Sequence, residues 1–177
     1  MHEASPSLHE RARKIRLVIF DVDGVLTDGK LFFDMEGREY KSFHARDGHG
    51  IKLLQRTGVQ VAVISGRSSP MVAARLASLG IQHIYQGQEN KLAALSALQT
   101  NLALQPDEIA HVGDDLLDLA IMRRVGLAIG VADCTPALDS YLHWKTRNLG
   151  GHGAAREVCD LIMDAQDNFQ RMVQEHL

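Results

Sequence analysis

Short apolar runs rich in valine and isoleucine recur along this chain, each followed by a stretch whose apolar residues fall at helical spacing. The runs cover residues 17–20, 59–65, 109–113 and 126–131, and a shorter one covers 81–85. The helix-like stretches are residues 48–58, 69–80, 90–104 and 115–126, and three of them close on glycine. Strands alternating with helices in this way predict an α/β fold built on a doubly wound parallel sheet, Rossmann-like in architecture. One insertion breaks the rhythm. Residues 30–43 read as a small β-hairpin turning at 35–37, too short to form a cap domain over a site. Residues 141–148 add an edge strand. A glycine-rich "LGGHGA" then leads into a last helix carrying Val158, Leu161, Ile162, Ala165, Phe169, Met172 and Val173 on one stripe.

The length of 177 residues fits one domain with a substantial core. We expect a flexible segment over 1–14 and a single domain over 15–177, with the hairpin as its insertion. A net charge of −3 provides no basic footprint for nucleic acid. No apolar run is long enough to span a bilayer, and the polar N-terminus lacks the apolar core of a secretory signal. The two cysteines, Cys134 and Cys159, show no metal or redox spacing, so the expected setting is reducing and cytoplasmic.

The polar residues that end the strands carry the chemistry. Asp21 and Asp23 follow the first run, Ser65 the second, and Asp114 and Asp115 the run at 109–113, while Lys91 opens the helix after 81–85. In an open parallel sheet all of these fall on the ligand-binding rim. Any one acid there is ordinarily a helix cap, but a carboxylate pair, a hydroxyl, an amine and a second carboxylate pair together are not explained by capping. Crowded carboxylates call for a hard cation, and Mg²⁺ suits a site that also takes phosphate. A carboxylate is already an anionic nucleophile at neutral pH, so Asp21 can attack phosphorus without a base. Asp23 can then protonate the leaving alkoxide and later activate water.

In this arrangement "DVDGVLTDG" resembles the first motif of the haloacid dehalogenase superfamily, and "VISGR", Lys91 and "GDDLLD" are similar to its second, third and fourth motifs. The resemblance implies catalytic roles for Asp21, Asp23, Ser65 and Lys91. It implies a metal site of Asp21, Asp23 and Asp114, supported by Asp115 or Asp118. Over nearly the whole chain after residue 14, segments such as "FHARDGHGIKLL", "LGIQHIYQGQENK" and "GGHGAAREVCDLIMDAQ" resemble the cap-less 3-deoxy-D-manno-octulosonate 8-phosphate phosphatases, a family of lipopolysaccharide synthesis. That likeness implies a Mg²⁺-dependent phosphatase for an eight-carbon sugar acid phosphate. It also implies homotetramers joined through their hairpins, with each active site completed by a neighbouring subunit. By position, the loop His44, Ala45, Arg46, Asp47 and Gly48 is expected to contact the sugar acid. Lys52, Arg67 and Arg75 are expected at the entrance, with Asp23 and Lys91 also on the substrate. The chain departs from the pattern at His152, where the family has arginine, at His49, where tyrosine is common, and at Ser65, where threonine is. Three other readings stand beside this one: a phosphatase for a nine-carbon, sialic-acid-type 9-phosphate, a phosphotransferase using an alcohol in place of water, and a non-catalytic oligomerisation module. His83, His111 and His143 show no metal spacing and receive no role.

Overall fold

A strand that is apolar at every position needs cover on both faces and partners on both edges. β1 (Leu17–Phe20) has both, being buried throughout and paired in parallel with β4 (Gln60–Ile64) on one side and β6 (Ile109–Gly113) on the other. The computed structural model describes residues 6–177. Its main sheet adds β5 (His83–Tyr85) beyond β4, and β7 (Leu127–Gly130) then β8 (Trp144–Lys145) beyond β6. Every pairing in this six-stranded sheet is parallel, the expected α/β topology. The chain crosses from β1 to β4 and β5, then returns to β6 on the opposite edge of β1. The switch point therefore lies at the carboxyl end of β1, just where Asp21 stands.

The crossovers are α2 (Ala45–Arg56), α3 (Pro70–Ser78), α4 (Lys91–Leu102) and the short α5 (Leu119–Met122). α6 (Ala154–Ala165) packs closely against α2, burying Val158, Cys159, Ile162 and Met163 against Ile51 and Leu54 in the common core. Each such fully buried aliphatic side chain contributes roughly 1.5–3 kcal/mol. The insertion forms a two-stranded hairpin of β2 (Phe32–Phe33) and β3 (Glu39–Tyr40).

Two expectations need correction. Residues 8–14, taken as flexible, are ordered: α1 (Leu8–Arg13) starts on a capping box in which Ser7 and Glu10 satisfy each other's backbone N–H groups. Its Ala12 is fully buried, and α1 packs on α6. Residues 1–5 of that segment lie outside the described residues. The single last helix is in fact two, since Asp167 takes a left-handed φ of 59° and separates α6 from α7 (Phe169–Gln174). Met172 on α7 returns to the core, whereas Val173 remains exposed.

Candidate active site

The turn after β1 is built by its own backbone. Thr27, almost fully buried, donates through its hydroxyl to the Val22 carbonyl and accepts from the N–H groups of Gly24 and Gly29 at 3.4 and 3.3 Å. Gly24 sits at a φ of +85°, and a Cβ there would come within 2.1 Å of an Asp114 carboxylate oxygen. Only glycine lets the first motif approach the fourth so closely. Behind the turn, Gly151 donates to the Val25 carbonyl at 2.9 Å. Gly150 is so close that a Cβ would overlap the Gly24 carbonyl. The "GG" of the C-terminal segment is thus the backing plate of the Asp21–Gly29 turn.

In front of the turn, carboxylate oxygens of Asp21, Asp114 and Asp118 lie within 4.8 Å of one another. Lys91 opens α4 after the Asn90 cap and reaches into this group, its Nζ 2.9 Å from Asp21 Oδ1 and 2.7 Å from Asp118 Oδ1. Asp118 is buried and fully committed. It also pairs with His111 Nε2 at 2.9 Å and accepts the Asp114 backbone N–H at 3.0 Å. Burial opposes its charge, yet the hydrogen bond and field of His111 and the Lys91 ammonium hold it ionised, well below the usual carboxylate range. For Lys91, burial pulls the pKa down, but Asp118 and Asp21 outweigh it and the ammonium is stabilised. The other two acids are under-compensated. Burial, then the charge of Asp118, pushes Asp21 up to about 6, and burial with Asp118 and Asp21 pushes Asp114 up to about 7. An oxygen-only donor set short of positive charge fits a hard divalent cation such as Mg²⁺.

Asp115 and Asp118, not separable by sequence, have different roles: Asp115 is exposed and caps the next turn through the Leu116 N–H at 2.7 Å. Asp23, expected to share the metal, stands outside the carboxylate cluster. Its carboxylate instead takes Lys41 and lies 3.8 Å from Arg67 Nε. Ser65 directly follows β4 and is buried, its backbone N–H bonded to the Tyr85 carbonyl at 2.9 Å.

The substrate segment is not a loop. His44 is the N-cap position of α2, and Ala45, Arg46, Asp47 and Gly48 form its first turn. Asp47 is buried and its Oδ1 accepts the Arg156 N–H of α6 at 2.8 Å. It stands in for a missing cap, because the N-cap residue of α6 is Gly153, which has no side chain to offer. Gly48 makes room for the Arg75 guanidinium, which lies 6.0 Å from the Phe43 ring. Arg46 points into a separate cleft beside Trp144, Arg147, His152 and Arg156. Lys52 is exposed on α2, about 10 Å along the helix from Ala45. Of the expected substrate residues the structure therefore brings Lys91 to the carboxylate cluster and sets Asp23 against Lys41 and, at 3.8 Å, Arg67. It gives Asp47 a structural partner and turns Arg46 and Lys52 elsewhere. His49 meets His176 edge-on at 5.5 Å, and a ring nitrogen of His152 lies 2.8 Å from the Gly150 carbonyl oxygen.

Three participants escaped the sequence. Lys41 and Glu39 leave the hairpin next to Asp23, signalled only by charges two apart on one strand face. His111 was visible as a polar residue inside an otherwise apolar strand, which has to find a buried partner.

A 3-deoxy-D-manno-octulosonate 8-phosphate phosphatase of Salmonella typhimurium is 48% identical over 162 residues, covering 92% of this chain and 86% of its own. The chain belongs to this phosphatase family. The family's protein from Escherichia coli K12 is 49% identical over 156 residues, 88% of this chain and 83% of its own. Residues 77–157 match the haloacid dehalogenase-like hydrolases. Among solved structures, the Yersinia pestis phosphatase superposes with a TM-score of 0.91 at 47% identity, covering 92% of this chain and 88% of that one. The Moraxella catarrhalis phosphatase, solved with magnesium, phosphate and the sugar acid, gives 0.93 at 41% identity, covering 96% and 97%. Among the described residues no helix is long and apolar enough to cross a membrane.

Proposed function

We propose that this chain is a Mg²⁺-dependent phosphatase that hydrolyses 3-deoxy-D-manno-octulosonate 8-phosphate to the free sugar acid and phosphate through an aspartyl-phosphate on Asp21. The observation that carries the chemistry is Asp21 itself, set at the switch point 2.9 Å from the Lys91 ammonium and grouped with Asp114. The relatives' shared substrate supports the eight-carbon assignment over the nine-carbon one.

Asp21 and Asp114 hold the cation in this reading, since Asp118 spends its oxygens on Lys91, His111 and the Asp114 N–H. Bound there, Mg²⁺ supplies positive charge against the phosphoryl oxygens. Lys91 adds its own charge on the same side and, pinned by Asp118, does so without reorganising. Asp21 attacks phosphorus and the bond to the sugar oxygen breaks. Asp23 gives its proton to the departing alkoxide, then takes one from the water that cleaves the aspartyl-phosphate, restoring both side chains. Ser65 binds a phosphoryl oxygen, and Arg67 and Arg75 line the entrance for an anionic sugar acid.

The same reading takes the chain as one catalytic domain with the hairpin as its insertion. Leu31, Phe32, Phe33, Met35 and Tyr40 are all exposed on that hairpin, an apolar patch that suits association with other copies. We take the assembly to be a homotetramer whose neighbours wall the open site. A cytoplasmic setting goes with two free, buried thiols, and the product serves lipopolysaccharide synthesis.

The test is phosphate release from eight-carbon and nine-carbon sugar acid phosphates with and without Mg²⁺. Preference for the eight-carbon ester, abolished by chelation and by Asp21→Asn, is expected. Faster release from the nine-carbon ester would reassign the substrate, and no metal-dependent release from either would overturn the enzyme reading.

A further inference from the structure

Most of the groups around the phosphoryl position come from the strand ends of the main sheet. Lys41 does not. It follows β3 of the hairpin, and its side chain is 1% exposed. A buried ammonium is costly unless it is paired. Its Nζ bonds the Asp23 carboxylate and lies 2.8 Å from Glu39 Oε1. The other oxygen of Glu39 accepts from the Arg67 guanidinium at 2.5 Å. Arg67 Nε in turn lies 3.8 Å from the second oxygen of Asp23. Two acids and two bases thus alternate around a closed ring that joins the Asp21–Gly29 turn, the hairpin and the loop after Ser65.

The ring decides where Asp23 points. Among the described residues, its side-chain charge partners are Lys41 and Arg67 alone, and Arg67 is half exposed and too distant for a hydrogen bond. Lys41 is the only one of the two that both touches Asp23 and is itself immobilised by burial. An exposed lysine–aspartate pair would contribute little and wander, whereas this pair is fixed by Glu39 behind it.

We infer that Lys41 is a positioning residue for the reaction: it holds the Asp23 carboxyl group where its proton reaches the leaving oxygen, with Glu39 fixing Lys41 in turn. The inference rests on Asp23 being the general acid of the proposed reaction. Lys41 touches no reacting atom. The proton that neutralises the alkoxide comes from Asp23, as the phosphorus–oxygen bond breaks. In consequence the hairpin contributes to its own subunit's chemistry through its inner end while presenting an apolar outer face.

The experiment compares Lys41→Met, Lys41→Arg, Glu39→Gln and Asp23→Asn with the parent on two esters. The leaving alkoxide of the sugar acid phosphate needs a proton, whereas nitrophenolate from p-nitrophenyl phosphate departs without one. The readout is kcat/KM, which is set by steps up to release of the alcohol. For Lys41→Met a loss of roughly 10²-fold is expected on the sugar ester, against about threefold or less on the nitrophenyl ester. Lys41→Arg should recover most of the loss, and Asp23→Asn should show the same contrast between esters. Glu39→Gln should show it at about tenfold, which keeps the question decidable if Lys41→Met does not fold. Equal losses on both esters for the Lys41 and Glu39 variants, with the contrast kept by Asp23→Asn, would make Lys41 a structural residue and overturn the inference. Unchanged kinetics in Lys41→Met would also overturn it. Loss of the contrast in Asp23→Asn itself would instead refute Asp23 as the acid, and the inference would fall with that reading.

Discussion

Replacing Asp118 by asparagine keeps its shape and removes its charge from the centre of the site. The side chain accepts on Oδ1 from Lys91 at 2.7 Å and pairs there with His111 at 2.9 Å, while Oδ2 accepts the Asp114 N–H at 3.0 Å. Asparagine has one acceptor oxygen, so its amide must face donors on one side or the other. A buried donor left without an acceptor costs about 1–3 kcal/mol, and removing one partner of a buried ion pair costs about 3–5 kcal/mol. Part of this returns, because Lys91 retains Asp21 at 2.9 Å and Asp21 is relieved of the repulsion from Asp118. A net loss of about 3 kcal/mol lowers the melting temperature of a chain this size by roughly 6–12 °C. Lys91 shifts toward Asp21, and a displacement near 1 Å in such a site costs about 10²-fold in kcat. Thermal unfolding by circular dichroism and steady-state phosphate release measure both effects. Melting within about 1 °C of the parent with kcat within about twofold would refute the idea that Asp118 holds Lys91 in place.

Acidity and metal should be coupled. Asp21 and Asp114, with pKa values raised to about 6 and 7 by burial first and neighbouring carboxylates second, favour the folded state while protonated. Their contribution is complete below the ordinary value of 3.8 and is lost as pH rises through 6 to 7. In chelator the melting temperature should therefore decline between about pH 5 and 8, and Mg²⁺ should offset that decline increasingly as pH rises, because the ligands must ionise to bind it. A metal-induced shift independent of pH would contradict this. Gly24→Ala places a Cβ within 2.1 Å of the Asp114 carboxylate at a φ of +85°. Strain of about 1–2 kcal/mol is expected, with weaker Mg²⁺ binding by titration calorimetry, and an unchanged Mg²⁺ affinity would refute the close approach.

Asp21, Ser65, Lys91 and Asp114 were legible in the sequence because each ends a strand or opens a helix, and strand ends of a parallel sheet share one rim. The register of β1 with β4 and β6 sets the ends of those strands side by side, and Lys91 reaches Asp21 from the start of α4. Asp47 was not legible in the same way. It looks like an exposed acid in a helix's first turn, and its burial depends on Gly153 leaving α6 without a cap on a segment more than a hundred residues away. Lys41 depends on where a hairpin folds back, which local pattern does not encode. The break at Asp167 was hidden because the apolar stripe of α6 runs on in phase into α7, so periodicity alone saw one helix.

The proposed reaction passes through a covalent phosphoryl group on Asp21. Enzyme mixed with the sugar acid phosphate and Mg²⁺, quenched within a turnover by borohydride, reduces an aspartyl-phosphate to homoserine, which peptide mass spectrometry locates. Homoserine is expected at position 21 and at no other aspartate, dependent on substrate and absent when the cation is chelated. Homoserine at Asp23 or Asp114, or substrate turnover that leaves position 21 unmodified at every quench time, would contradict it.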